Sequence, residues 1–328
     1  MSTNNYFSSF GQIVNTMKKY FNYFYLIIFA FLVSCNPTPI IESDMLDSGQ
    51  ISYAIQDSFQ KHLVSNYINN PSPSQLDTPV IIAAHGYTAT TFEWDELRNL
   101  ANTKGTFYVS QVLLGGHGRS YEAFKKSTWE DWQQSIKDEY RKLDSLGFKK
   151  IYLAGSSTGA PLIINMVKSG FFANYNQPKG IFLIDPIVVS VNKTLTMVGL
   201  LGPVLGYTTV DLPTGEKGKW YVYRPQETLK QLMQLINQTR IDLQNGITLP
   251  AQTYMKVFKS QEDDVADPIS ALLIYKGMKT SNGGKIDAEL INSKLHVFTR
   301  LAGRENVTPD DIALQKKVFA DMEVKMTE

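Results

Sequence analysis

The stretch KKIYLAGSSTGAPLIINMV, residues 149–167, decides how this chain is read. Its first half, IYLAG, is short and apolar, as a strand buried on both faces of a sheet should be. Its second half, APLIINMV, has the apolar content of a helix packed on that sheet. Between them stands Gly155-Ser156-Ser157-Thr158-Gly159, a G-x-S-x-G pattern in the strand–turn–helix setting that gives it meaning. So tight a turn forces its central serine into a strained backbone conformation, and glycine two residues to either side keeps neighbouring chain away. Ser157 is therefore expected at the C-terminal edge of a sheet, near a helix N-terminus that favours negative charge.

Working outward, short β-rich runs alternate with helical stretches, the pattern of a mostly parallel sheet with crossover helices. The runs are PVIIAAHG (79–86), TFYVSQVLL (106–114), KKIYLAGS (149–156), GIFLIDP (180–186), TYMKVFKS (253–260) and a weak one ending at His296. Ser127-Thr128-Trp129-Glu130 reads as a capping box opening a helix. Trp129, Trp132, Ile136 and Tyr140 then recur at helical spacing and are expected in the core. Residues 187 to about 250 interrupt the alternation with TMVGLLGPVLGY (196–207) and the helical ETLKQLMQLINQTRIDLQNG (227–246). They read as a small helical lid inserted after the sixth core strand, the alternative being ordinary surface helices joined by a long loop.

A serine hydroxyl is a weak nucleophile until a base takes its proton, and the base needs an orienting acid. After an elbow of this kind the chain order is serine, acid, histidine. His296, in NSKLHVFT, is the one histidine that follows Ser157. The acid is expected in the loop after TYMKVFKS. Asp263 is the first choice, with Asp264 its neighbour, Asp267 better suited to capping a helix starting at Pro268, and Asp185 a geometric alternative after GIFLIDP. Acyl transfer also needs donors for an oxyanion: the backbone N–H of Thr158, after the nucleophile, and that of Tyr87, in the loop His85-Gly86-Tyr87-Thr88. His85 is expected to order that loop, and His117, in GGHGRS, to serve structure near the same edge.

At these positions the chain resembles α/β-hydrolases of the bacterial carboxylesterase and monoacylglycerol lipase type, sometimes grouped with serine aminopeptidase-like hydrolases. HGYTAT (85–90), GGHGRS (115–120), GSSTGA (155–160), SQEDDVADP (260–268) and LHVFT (295–299) carry the resemblance in order, within a span of about residues 78–324. It implies an α/β fold of the α/β-hydrolase type, a Ser157–Asp263–His296 acyl hydrolase acting on a small-molecule ester, no cofactor and a small helical lid. The same machinery could cleave amides, although no clear acidic pocket for a substrate amine is visible. A catalytically silent surface-binding protein would be expected to lack a member of the set, and all members are present.

Composition bounds the alternatives. The 328 residues carry 32 Lys+Arg against 31 Asp+Glu, which lacks the basic footprint of a nucleic-acid binder. One cysteine, Cys35, leaves no internal disulfide, and with four histidines a metal site is a poor reading. Cys35 closes FNYFYLIIFAFLVSC (21–35), an apolar run short of the about 20 residues a span needs and preceded by Lys18 and Lys19. Leu32-Val33-Ser34-Cys35 resembles a bacterial lipobox, which implies a signal peptide over 1–35, lipid on Cys35 and attachment to a membrane. Met17 makes a more usual signal start than Met1. Asn36 after the cysteine hints at the outer membrane in a cell that has one. Residues 36–50 read as a tether and 51–328 as the hydrolase domain. Removing residues 1–34 takes away two lysines and no acid, so the net charge passes from +1 to −1.

Overall fold

The computed structural model describes residues 38–50, 70–191 and 206–328. In chain order the elements are helix α1 (Pro73–Asp77), strand β1 (Val80–Ala84), helix α2 (Asp95–Lys104), strand β2 (Tyr108–Val112), helices α3 (Tyr121–Lys126) and α4 (Trp129–Leu146), strand β3 (Ile151–Ser156), helix α5 (Gly159–Lys168) and strand β4 (Gly180–Ile184). The hairpin β5 (Tyr207–Thr209) and β6 (Tyr223–Pro225) leads into helix α6 (Gln226–Asn245). Then come β7 (Ile247–Thr248), β8 (Tyr254–Ser260), α7 (Ile269–Gly277), β9 (Met278–Lys279), β10 (Asp287–Ile291) and α8 (Pro309–Thr327).

Six of these strands form one parallel sheet in the order β10-β8-β4-β3-β1-β2. The apolar runs explain it, because side chains alternate between two cores. Val80, Ile82, Ile151, Leu153, Ile181 and Leu183 enter one core with α4, α5, α6 and α7. Ile81, Ala83, Tyr152, Ala154, Phe182 and Ile184 enter the other with α2 and α8. With every strand parallel, all C-terminal ends share one edge, and the loops there gather residues distant in sequence.

Several expectations shift in detail. The helix over Trp129–Leu146 is capped one residue later than the S-x-x-E pattern suggests. Thr128 accepts from the Asp131 N–H and the Asp131 side chain answers at the Thr128 N–H. Ser127 instead donates to the Phe124 carbonyl and accepts from Trp132 Nε1 at 2.8 Å. The weak strand stops at Ile291, so His296 lies five residues beyond it, in a turn.

The strand before the insertion is the fourth of the sheet in chain order among the described residues. Of the lid, residues 192–205 lie outside the described residues. Helix α6 is no cover: it buries Leu232, Leu235, Ile236 and Leu243 in the main core, as part of the layer over the sheet. Among the described residues, the stretch between β5 and β6 packs on the loops of this edge, where Tyr221 donates its N–H to Thr88 O and its hydroxyl to Arg119 O at 2.7 Å. Part of the expected tether is docked there too. Asp47 and Leu46 are buried, and the Asp47 carboxylate accepts the N–H groups of Val222 and Tyr223. Burial pushes the Asp47 carboxyl above its ordinary range, more than those N–H groups pull it down. Residues 1–35, where the signal is expected, lie outside the described residues, Cys35 included.

Candidate active site

Ser157 follows β3 directly, at φ +47°. Its N–H donates to Ile184 O, and its carbonyl accepts from Ile187, which pins the elbow to the end of β4. The flanking glycines are required by contact. A Cβ on Gly159 would lie 2.4 Å from the Ala84 carbonyl oxygen, and one on Gly155 would lie 2.7 Å from the Gly159 backbone. Close packing of helix on strand brings Ser157 to the surface of the sheet edge while leaving it 7% exposed.

The structure brings Ser157, His296 and Asp263 into one hydrogen-bonded line. Ser157 Oγ donates to His296 Nε2 at 2.9 Å, and His296 Nδ1 donates to Asp263 Oδ2 at 2.8 Å. The acid is fully engaged. Its Oδ1 accepts from the N–H groups of Val265 and Ala266, and its Oδ2 also accepts from Lys259 Nζ at 2.5 Å. Burial pushes the Asp263 carboxyl up. The hydrogen bond and charge of His296, with the Lys259 ammonium, outweigh that and hold it well below the usual carboxylate range. Asp264, one residue on, is exposed, and Asp267 accepts the Ile269 N–H at 2.9 Å at the mouth of α7.

Asp185 does not touch His296 in this hydrogen-bonded line; it ties three elements together. It accepts from the Ser260 N–H and hydroxyl at the end of β8, from Lys259, and from the Phe298 N–H two residues past the histidine. The single Ser260 hydroxyl proton is shared with Leu295 O, which lies 2.8 Å from Oγ. Arg304 donates to the carbonyls of His296 and Val297. Asp185 and Val297 sit at φ +43° and +53°, so with Ser157 and Thr88 (φ +64°) four non-glycine residues of this edge hold left-handed backbone. Each such residue costs on the order of 1–3 kcal/mol and persists only where its surroundings over-determine it.

On the opposite flank, Gly86 approaches Ser157 so closely that a Cβ there would lie 3.0 Å from Ser157 Cβ; Tyr87 follows Gly86 in that loop, and Thr158 follows Ser157 in the elbow. His85 Nδ1 donates to Gly86 O at 2.8 Å and its Nε2 accepts from the Leu114 N–H at 3.1 Å, which orders the loop as expected. Burial lowers His85 to about 4, and burial with His85 alongside lowers His117 well below the ordinary range. His117 packs its ring edge-on against His85, Trp132 and Phe124, a structural place. Two contributors were not singled out from the sequence. Glu93 Oε1 accepts both the Gly86 N–H at 2.8 Å and the Ser156 hydroxyl, joining oxyanion loop to elbow. Lys259, buried at the end of β8, is the other. Its signal was a charged residue in an apolar strand, four positions before Asp263.

No family model matches the chain. It is 28% identical over 204 residues to a thermostable monoacylglycerol lipase of Bacillus sp. strain H-257, covering 61% of this chain and 77% of that one. Its fold is similar to that of a metagenome-derived lipolytic enzyme (TM-score 0.59, 19% identity, 76% of this chain and 94% of the other). It is also similar to a soluble variant of the monoglyceride lipase of Saccharomyces cerevisiae (TM-score 0.59, 12% identity, 78% and 88%). With an all-parallel six-stranded sheet carrying a serine elbow at its C-terminal edge, this chain has the α/β-hydrolase fold.

Proposed function

We propose that this chain hydrolyses carboxylic esters through an acyl-enzyme on Ser157, with His296 as general base and acid and Asp263 as its orienting acid. The observation that carries the reading is the line from Ser157 Oγ through both nitrogens of His296 to Asp263 Oδ2. His296 Nε2 takes the hydroxyl proton as Oγ attacks the ester carbonyl. The resulting oxyanion is received by the amides of Tyr87 and Thr158. Collapse breaks the bond to the alkoxy oxygen, which leaves as the alcohol with the proton from His296. Water then enters, gives its proton to His296, and attacks the acyl carbonyl. The acid is released and Ser157 regains its proton. Asp263 holds Nδ1–H and stabilises the imidazolium formed in each half-reaction. The lipase relatives support a single-chain acyl ester as substrate.

A fluorophosphonate probe should label the wild-type chain and leave Ser157→Ala unlabelled. Graded p-nitrophenyl esters, monoacylglycerols and aminoacyl anilides should show ester cleavage above amide cleavage. Labelling of Ser157→Ala, or anilide turnover exceeding ester turnover, would overturn the reading.

We also propose that Leu32-Val33-Ser34-Cys35 directs cleavage before Cys35 and lipid attachment to it, placing the enzyme on a bacterial membrane, the outer one where it exists. With about 0.8 kcal/mol per buried methylene, two or more acyl chains hold firmly where one does not. Cys35→Ala should remain unprocessed and lose detergent partitioning; unchanged processing and attachment would end the proposal.

A further inference from the structure

Lys259 is a lysine with no exposed surface, and its ammonium lies between two buried carboxylates, 3.1 Å from Asp185 Oδ1 and 2.5 Å from Asp263 Oδ2. A buried cation is expensive to desolvate and persists only when paired and hydrogen-bonded. Here both partners belong to the site's edge, and one of them touches His296. The oxygen that Lys259 reaches is the same Oδ2 that accepts His296 Nδ1–H. The other oxygen of Asp263 is filled by two backbone N–H groups, so the carboxylate has no freedom to turn.

We propose that Lys259 is a positioning residue of the reaction, an ammonium that fixes Asp263 Oδ2 beneath His296 and is itself balanced by Asp185. The proposal rests on the ester-hydrolase reading above. Its physical content is a charge count. With His296 neutral, Asp185, Asp263 and Lys259 sum to −1. The cluster's negative charge favours the imidazolium, and the ammonium on the same oxygen moderates that attraction. Lys259 thereby sets, together with Asp185, the electrostatic field that Asp263 presents to the imidazole. The charged groups that face the cluster are Asp185 from the end of β4, Asp263 from the loop after β8, and Arg304 from the histidine loop, which itself feels Arg300, Glu216, Glu93 and Asp185.

The test is the acid limb of the kcat/KM–pH profile for p-nitrophenyl ester hydrolysis in three variants, each with its melting temperature. Lys259→Met takes the count to −2 and should move the limb to higher pH by roughly one unit, with kcat falling and KM nearly unchanged. Asp185→Asn takes it to zero and should move the limb the opposite way. The double variant restores −1 and should bring the limb back near its starting pH even if the protein is less stable. A purely structural Lys259 would lower stability and active fraction without moving the limb, and would make the double variant no better than either single one. If Lys259→Met does not fold, the downward shift in Asp185→Asn still tests the charge count. An unmoved limb in every folded variant overturns the proposal, whereas retained activity in Ser157→Ala would instead overturn the reading beneath it.

Discussion

The two flanks of the site are held by different physics. On the nucleophile's flank the constraint is backbone contact. Gly159 packs on the Ala84 carbonyl, Gly155 on Gly159, and Gly86 on Ser157, so the chain has almost no alternative path. On the acid–base flank the constraint is a web of buried polar side chains. Asp185 gathers the ends of β4 and β8 and the histidine loop, while Lys259 joins Asp185 to Asp263. Steric contact is local and short-ranged, so it tolerates no added atom. A polar web spans residues more than a hundred positions apart and responds to charge and pH. Substitution should therefore fail abruptly on one flank and by degrees on the other.

The largest effects are expected at the groups through which the proton travels in the proposed reaction. Ser157→Ala and His296→Ala should each remove nearly all ester turnover, and combining them should cost little more, because such residues act as a unit. Asp263→Asn should lower kcat by about 10³–10⁴ with a far smaller change in KM, since the acid touches histidine rather than substrate. Asp264→Asn, on an exposed neighbour, should stay near wild type. Steady-state kinetics on the five variants decides it: comparable losses in Asp263→Asn and Asp264→Asn would mean that the hydrogen-bonded line does not govern turnover.

Next is Gly159→Ala, which addresses the steric flank. The added methyl would meet the Ala84 carbonyl oxygen at 2.4 Å, and that oxygen belongs to a central strand that has no room to retreat. A loss of stability of roughly 1–3 kcal/mol is expected, together with loss of activity as the elbow shifts. A melting temperature and turnover both near wild type would show that this flank is looser than its contacts imply.

The contrast also explains what the sequence could disclose. The elbow is a local event within five residues, so its strand, turn and helix could all be read from residues 149–167. The sheet was legible because strands buried on both faces leave continuous apolar runs. The acid was ambiguous because Asp263 and Asp264 are adjacent and identical in type, and only burial separates them. Nothing local says that Lys259 faces Asp185, 74 positions away. Helix α6 reads from sequence as part of a lid because its amphipathic period shows only that one side is buried. That it lies against α5 and α7 is a tertiary fact. The docking of Asp47 on the Val222 and Tyr223 amides was hidden the same way, inside a polar stretch that looked like a tether.

A smaller effect concerns pH and the oxyanion loop. His85 is buried and neutral, with its folded value lowered to about 4 from an ordinary 6.5. Because the folded state binds the proton less readily than the unfolded chain, His85's contribution to stability is full above 6.5. It is lost as pH falls toward 4, amounting to about 3 kcal/mol. Asp263 is also depressed, so its contribution fades at lower pH, beginning near the unfolded carboxylate range. Urea melts from pH 7.5 to 4.5 should show the first loss above the carboxylate range. His117, lowered in the same direction, shares this window, so His85→Gln should make that part of the curve shallower without flattening it; an unchanged slope in His85→Gln would assign the loss elsewhere.

The smallest effect lies at Asp267, close to the acid loop yet outside the web. Its Oδ1 accepts the Ile269 N–H and its carbonyl accepts from Ser270, so it closes the open amides at the start of α7. Removing a side chain that caps a helix costs about 1 kcal/mol, and α7 packs on α6, so that loss should appear as lower stability. Asp267→Ala should thus lower the melting temperature by a few degrees while leaving kcat and the acid limb of its pH profile in place. Asp263 keeps both of its own N–H donors from Val265 and Ala266, which lie between it and the cap. If Asp267→Ala moved the acid limb as well, the loop would be transmitting strain to Asp263. The polar flank would then extend four residues further along the chain than its hydrogen bonds indicate.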